Sequence, residues 1–157
     1  MDIRKIIFLL TCLIGGACSA DKSESSNTDD VSLSEEKIDL LIDVKTIANK
    51  LPLDVERVLG SPESTTKETG YPCETVSCTE SLYQSGKYKV LYINGLSKWL
   101  FIYNTPDLTN HKTALKAIGL KDQEPTFRET GRVVWKNVDW FDEIHFNSSF
   151  ILVKVKW

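Results

Sequence analysis

Asn94-Gly95 stands between two runs rich in β-branched and aromatic residues, Lys87 to Ile93 and Leu96 to Tyr103. Both turn residues tolerate the positive φ that a two-residue type I′ connection demands, so this stretch is committed to an antiparallel hairpin. Alternation puts Tyr88, Val90 and Tyr92 on one face. Leu82 and Tyr83 are expected to begin a preceding strand, which makes a three-stranded meander. On the second strand of the hairpin, Trp99, Phe101 and Tyr103 share one side while Leu100 and Ile102 share the other. A hairpin apolar on both sides needs a cover on each, and for one side that cover is either the second meander or a partner protein.

The rest of the chain supplies helical and strand signals around this hairpin. Asp43 can cap a short helix running through Lys50, and Pro52 suits the first turn of a second helix that ends before Gly60 and Pro62. Thr105-Pro106-Asp107 breaks the sheet, and Asn110 to Ile118 fits a short helix closed by Gly119. Strand signals return at Thr126 to Trp135, Trp140 to Phe146 and Phe150 to Trp157, the last two joined at Asn147-Ser148-Ser149. In the last run Ile151, Val153, Val155 and Trp157 alternate with Leu152, Lys154 and Lys156, one core face and one mostly wet face. The order predicts an α+β fold: a helical pair followed by an antiparallel β-meander, a short helix, and a second antiparallel meander. Residues 37–157 are expected to form a single globular domain, with a loose duplication of a helical segment followed by about three strands.

The N-terminus reads as an address. Arg4 and Lys5 precede the nine-residue apolar run Ile6 to Ile14, then Gly15-Gly16-Ala17 and Cys18. A spanning helix needs about 20 apolar residues, so residues 1–17 are expected to be a removable signal peptide. Small residues directly before a cysteine resemble the lipobox of bacterial lipoproteins. That resemblance implies acylation of Cys18 (palmitate among its chains) and cleavage before it. Ser19 after the cysteine implies the outer membrane, facing the periplasm. The other reading is ordinary cleavage after Ser19, releasing a soluble secreted or periplasmic protein. Residues 19–36 are rich in Ser, Asp, Glu and Asn, too polar to offset the entropy of ordering, and are expected to be a flexible tether behind the lipidated Cys18. Loss of Asp2, Arg4 and Lys5 leaves 17 basic and 21 acidic residues, a charge of −4. Such a balance excludes a general nucleic-acid binder and gives no reason for the body to lie on anionic lipid.

With Cys12 in the signal and Cys18 lipidated, only Cys73 and Cys78 remain. In an exported protein this pair reads as a local disulfide, worth roughly 2 kcal/mol on the chain-entropy model. Zinc lacks a second Cys or His pair nearby, and a redox site more often has two residues between its cysteines.

Leu51-Pro52-Leu53-Asp54-Val55-Glu56-Arg57-Val58-Leu59-Gly60-Ser61-Pro62 resembles the second helix and exit turn of small envelope lipoproteins of the SmpA/BamE type and of β-lactamase-inhibitor-like modules. The likeness covers roughly 44–103 and implies a binding scaffold with no catalytic residues to transfer.

Chemistry-bearing motifs are sparse. His145 lies on a strand between Ile144 and Phe146 and reads as a satisfied sheet residue, and His111 as a surface residue. There is no nucleophile elbow, zincin or phosphate-loop motif. Asp142 and Glu143 are adjacent on a strand and point to opposite faces, a poor acid–base pair. Asp29 and Asp30 lack a calcium-loop context. The aromatics are the stronger lead, because Trp and Tyr concentrate at interaction hot spots. Trp99, Tyr103 and Trp140 are the candidate protein-binding residues, with no catalytic residue, metal or cofactor assigned. The expected function is a lipid-anchored envelope lipoprotein with a non-catalytic protein-binding domain: an assembly accessory, inhibitor or immunity-type factor. Its expected partners are the membrane, through the anchor, and an envelope protein. The alternatives are a lipid-anchored hydrolase or a carrier of a small apolar ligand between helices and sheet.

Overall fold

The computed structural model describes residues 38–157. The signal peptide, Cys18 and the tether therefore lie outside the described residues. Within them the protein is mostly β. One eight-stranded antiparallel sheet is accompanied by one short α-helix and two single 3-10 turns.

The strands are β1 (Ser64–Glu68), β2 (Cys78–Tyr83), β3 (Tyr88–Ile93), β4 (Leu96–Tyr103), β5 (Phe127–Glu129), β6 (Arg132–Val138), β7 (Phe141–Asn147) and β8 (Phe150–Val155). Their order across the sheet is β1-β2-β3-β4-β8-β7-β6-β5. Each meander starts at an edge and ends at the centre, where β4 pairs with β8 from Trp99↔Lys154 to Tyr103↔Phe150. The second meander thus extends the first edge to edge instead of covering it. Each half consists of a helical segment followed by four strands, one more than expected.

The hairpin forms as read, with φ of 52° at Asn94 and 81° at Gly95. Leu82 and Tyr83 end β2 rather than begin it. The stretch read as one strand from Thr126 to Trp135 is itself a hairpin, β5 and β6, turned at Thr130-Gly131, where Gly131 has a φ of 73°. Strand β1 has no apolar alternation to betray it. Its Ser-Thr-Thr-Lys-Glu sequence forms a polar edge, paired with β2 from Ser64↔Leu82 to Glu68↔Cys78.

The helical pair shrinks to one helix. Helix α1 (Pro52–Leu59) starts on Pro52, carries Asp54 in its first turn and Arg57 in its last, and stops at Gly60. The segment before it makes only the 3-10 turn Val44–Thr46, capped by the Asp43 carboxylate, which accepts from the Lys45 amide at 3.0 Å. It cannot propagate because the start of β4 claims its backbone. The Asn49 amide donates to the Ser97 carbonyl at 2.8 Å, and the Ser97 amide to the Lys50 carbonyl at 2.9 Å. Buried Ser97 completes the clasp: its hydroxyl donates to the Ile47 carbonyl at 2.5 Å and accepts from the Lys50 amide at 2.9 Å. The third expected helix is likewise a 3-10 turn, Ala114–Ile118. It ends at Gly119, whose φ is 76° and where a Cβ would lie 2.9 Å from Asp43 Oδ1. That close approach locks the two helical segments together, as do bonds from the Leu41 and Ile42 amides to the Ala117 carbonyl.

These segments cover one sheet face. Val44, Ile47, Val55, Leu59, Leu115 and Ile118 pack against Tyr88, Val90, Tyr92, Ile102, Val133, Trp135, Ile144, Ile151 and Val153 in one core. Trp157, expected on that face, lies past the end of β8 and is 70% exposed. Among the described residues no helix is long and apolar enough to cross a membrane.

Candidate functional site

The other face of the sheet is open except where the loop between β1 and β2 folds onto it. Strand alternation places Trp99, Phe101 and Tyr103 outward on β4, and the β4–β8 register sets Lys154, Leu152 and Phe150 opposite them. The result is an aromatic strip at the centre of the sheet. Phe101 lies 6.5 Å from Trp99, stacks on Tyr103 at 6.2 Å, and meets Phe150 at 6.4 Å, ring centroid to centroid. All are half-buried by one another.

Cations seat on this strip from both sides. Lys89 Nζ is 4.7 Å from the centre of the Phe101 ring and 3.2 Å from Glu80; Lys154 Nζ is 5.0 Å from the Trp99 ring and 2.8 Å from Glu143. Burial works against the charge of Lys89, but Glu80 and Tyr103 outweigh it and hold its ammonium above the ordinary value.

The disulfide joins Cys73 to Cys78 as expected, with Cα atoms 5.7 Å apart. It holds the loop so that Tyr71 comes within 5.9 Å of Trp99, ring to ring. Cys73, Cys78, Leu91 and Ile93 form a small second cluster with Trp99 and Val76 packed on it. Between loop and sheet lies a cleft of about 160 Å³, floored by Leu91, Trp99 and Phe101 and rimmed by Glu68, Glu80 and Lys89.

A second cleft, about 330 Å³, lies on the same face over β5–β7, lined by Phe127, Arg132, Val134, Lys136, Glu143 and His145. Glu143 is its centre, with Lys154 at 2.8 Å, His145 at 3.0 Å and Lys136 at 3.2 Å. Bonding from Lys154, then from His145 and Lys136, outweighs burial and holds the Glu143 carboxyl at about 2. Burial lowers His145 despite Glu143 beside it, so at neutral pH the ring is neutral and donates Nε2–H to the carboxylate. This lining contains a His and a carboxylate but no hydroxyl or thiol to serve as nucleophile. Among the described residues no group of three or more His, Cys, Asp or Glu is placed to hold a metal.

Of the candidate binding residues, Trp99 and Tyr103 stand on the strip on either side of Phe101. Trp140 does not join them. It sits in the β6–β7 turn, 36% exposed, with its ring stacked on Phe141 at 4.6 Å. His111 is half-buried rather than on the surface, and its Nδ1 is enclosed without a hydrogen-bond partner. Asp142 and Glu143 diverge as read: Asp142 is exposed at a break in the β7–β8 register and Glu143 faces the cleft. Sequence reasoning missed the strip's other half, Phe150 and Leu152, and its flanks, Tyr71, Lys89 and Lys154. Their alternation was visible within β8, but their neighbours across the strand depend on which strands pair. No protein-family model, curated protein or solved structure matches the chain.

Proposed function

We propose that this protein is a lipid-anchored lipoprotein of the bacterial cell envelope whose sheet domain binds another protein through its open aromatic face. The observation that carries the reading is the half-exposed strip of Trp99, Phe101, Tyr103, Phe150 and Leu152 at the middle of the sheet, which the cysteine loop overhangs at its Trp99 end. Aromatic side chains in contiguous patches, rimmed by charge, are the composition of protein interaction surfaces, and large apolar patches carry a solvation cost that a partner removes. Lys89, Glu80, Lys154 and Glu143 supply that polar rim. The Cys73–Cys78 bond suits an oxidising compartment, and the signal-like N-terminus with Cys18 suits attachment to the outer membrane by acyl chains, two or more of which anchor stably. An accessory, inhibitor or immunity-type role fits a sheet that backs one face with its core and offers the other to a partner.

The test is site-specific photo-crosslinking of the full-length protein in intact envelopes. A photoreactive residue at Phe101 should yield a discrete protein adduct, while the same probe at Leu53, exposed on α1 and away from this face, should not. Equal adducts at both positions, or none at Phe101, would remove the reading. Cys18→Ser should in parallel move the protein from the membrane fraction to the soluble one.

A further inference from the structure

The cleft beneath the cysteine loop has its own chemistry. Its walls are rings: Tyr71 and Trp99 meet at 5.9 Å with planes 57° apart, and Phe101 continues the floor. Aromatic faces attract cations, most strongly where water is partly excluded. The strip already uses two of its rings this way, through Lys89 and Lys154.

The rim adds charge of the matching sign. Glu80 is paired with Lys89. Glu68, at the end of β1, accepts a hydrogen bond from the Thr66 hydroxyl at 3.1 Å, and among the described residues no cation lies within ion-pairing distance of it. Two carboxylates against one ammonium leave this cleft one negative charge in excess. The second cleft has the opposite balance, with Arg132 and Lys136 around Glu143 and a neutral His145. A volume of about 160 Å³ is that of a single side chain, not of a peptide segment.

We infer that the cleft of Tyr71, Trp99, Phe101, Glu68 and Glu80 is a socket for one cationic side chain, arginine or lysine, presented by the protein partner. The inference rests on the protein-binding reading and names what the partner must carry. Arginine suits a cleft walled by rings and rimmed by carboxylates, since its planar guanidinium is weakly hydrated, stacks on rings and pairs with a carboxylate edge. Glu68 would take the place in that pair that Glu80 takes with Lys89.

The experiment uses the full-length protein in lipid nanodiscs, with the indole N–H signals of its tryptophans followed by NMR. The probes are N-acetyl-arginine methylamide and its uncharged norleucine counterpart. The arginine probe should shift the Trp99 signal saturably, at least threefold more tightly than norleucine does. Glu68→Gln, a half-buried rim change that leaves the core untouched, should cost about threefold or more in affinity for the arginine probe. Glu129→Gln, exposed at the far edge of the sheet and paired with Arg132 at 3.6 Å, should change nothing. The socket is overturned if norleucine binds as tightly as arginine, or if Glu68→Gln leaves arginine binding intact. If Phe101 crosslinks a partner while arginine gains no preference, the contact face stands and the socket fails. If arginine binds but Phe101 crosslinks nothing, the cation seat stands and its assignment to a protein partner fails.

Discussion

The two meanders follow the same path from edge to centre, yet they divide polar and apolar surface in opposite ways. On the covered face of β1–β4 the core contains hydroxyls: Tyr83 and Tyr92 bond to each other at 2.7 Å, and Ser97 clasps the segment before α1. On the covered face of β5–β8 the core is nearly all hydrocarbon, with Trp135 edge-on to Phe146 at 5.2 Å and only its Nε1–H spent, on the Gln123 carbonyl. On the open face the allocation reverses. The first half carries rings under a disulfide loop, and the second carries a charged cluster around Glu143. Hydrogen-bonded core groups fix where a cover sits, because a misplaced one leaves them unpaired. Hydrocarbon contributes burial without that demand. Behind β4, which carries the three rings Trp99, Phe101 and Tyr103, the cover is thus positioned by the directional bonds of Ser97.

The largest effect expected from this contrast is at Trp135. Trp135→Ala should destabilise by about 3–5 kcal/mol, through lost transfer energy and a cavity that fully buried neighbours cannot fill. Tyr83→Phe removes almost no volume but leaves the Tyr92 hydroxyl, whose titration is pushed up by burial and by the Tyr83 bond, without its partner. That should cost about 1–3 kcal/mol, and Tyr83→Phe combined with Tyr92→Phe should recover part of it. Urea unfolding of the four proteins measures both. A double variant no better than the single would mean that the two hydroxyls do not act as a pair.

Much of this contrast was written in the sequence, and the missing part has identifiable causes. Asn94-Gly95 fixed the central hairpin, and Pro52 with Gly60 bounded α1, because turn and cap residues act locally. The alternation in 150–155 separated Ile151, Val153 and Val155 from Leu152 and Lys154 as read. The two 3-10 turns read as helices because periodicity does not reveal distant partners: Ser97, some 50 positions away, takes the backbone groups of the first, and the Leu41 and Ile42 amides take the Ala117 carbonyl of the second. Strand β1 was invisible because an edge strand of Ser, Thr, Lys and Glu buries almost nothing. For the site, Trp99 and Tyr103 were legible from spacing within one strand. Phe150 was not, since it joins them only through the β4–β8 pairing, and Trp140 stands apart from them because its turn sets it against its own neighbour Phe141.

Opening the disulfide should sharpen the comparison on the open face. Cys73→Ser with Cys78→Ser should lower stability by about 2 kcal/mol. The change should concentrate in the first half: Tyr71 leaves Trp99, and amides of 69–77 lose protection from hydrogen exchange, while those of β6 and β7 keep theirs. Uniform loss of protection across both halves would show that the loop is coupled to the whole core rather than to the small cluster of Cys73, Cys78, Leu91 and Ile93.

The smallest effect separates the charged half from the aromatic one by pH. Glu143 is depressed from 4.5 to about 2. A carboxyl held low in the fold contributes stability that is fully present above its unfolded value and is lost as pH falls through its folded value. The urea midpoint of wild type minus that of Glu143→Gln should therefore shrink between pH 4.5 and 2. His145 acts in an adjacent window. Burial lowers its value, so its neutral form favours the fold, and that contribution is present above 6.5 and declines as pH falls below it. Repeating the comparison in a His145→Gln background removes the higher window and should leave the lower one in place. A difference that stays constant down to pH 2 would mean that Lys154, His145 and Lys136 do not hold Glu143 in its ionised form, and the second cleft would lose the charge balance that sets it apart from the first.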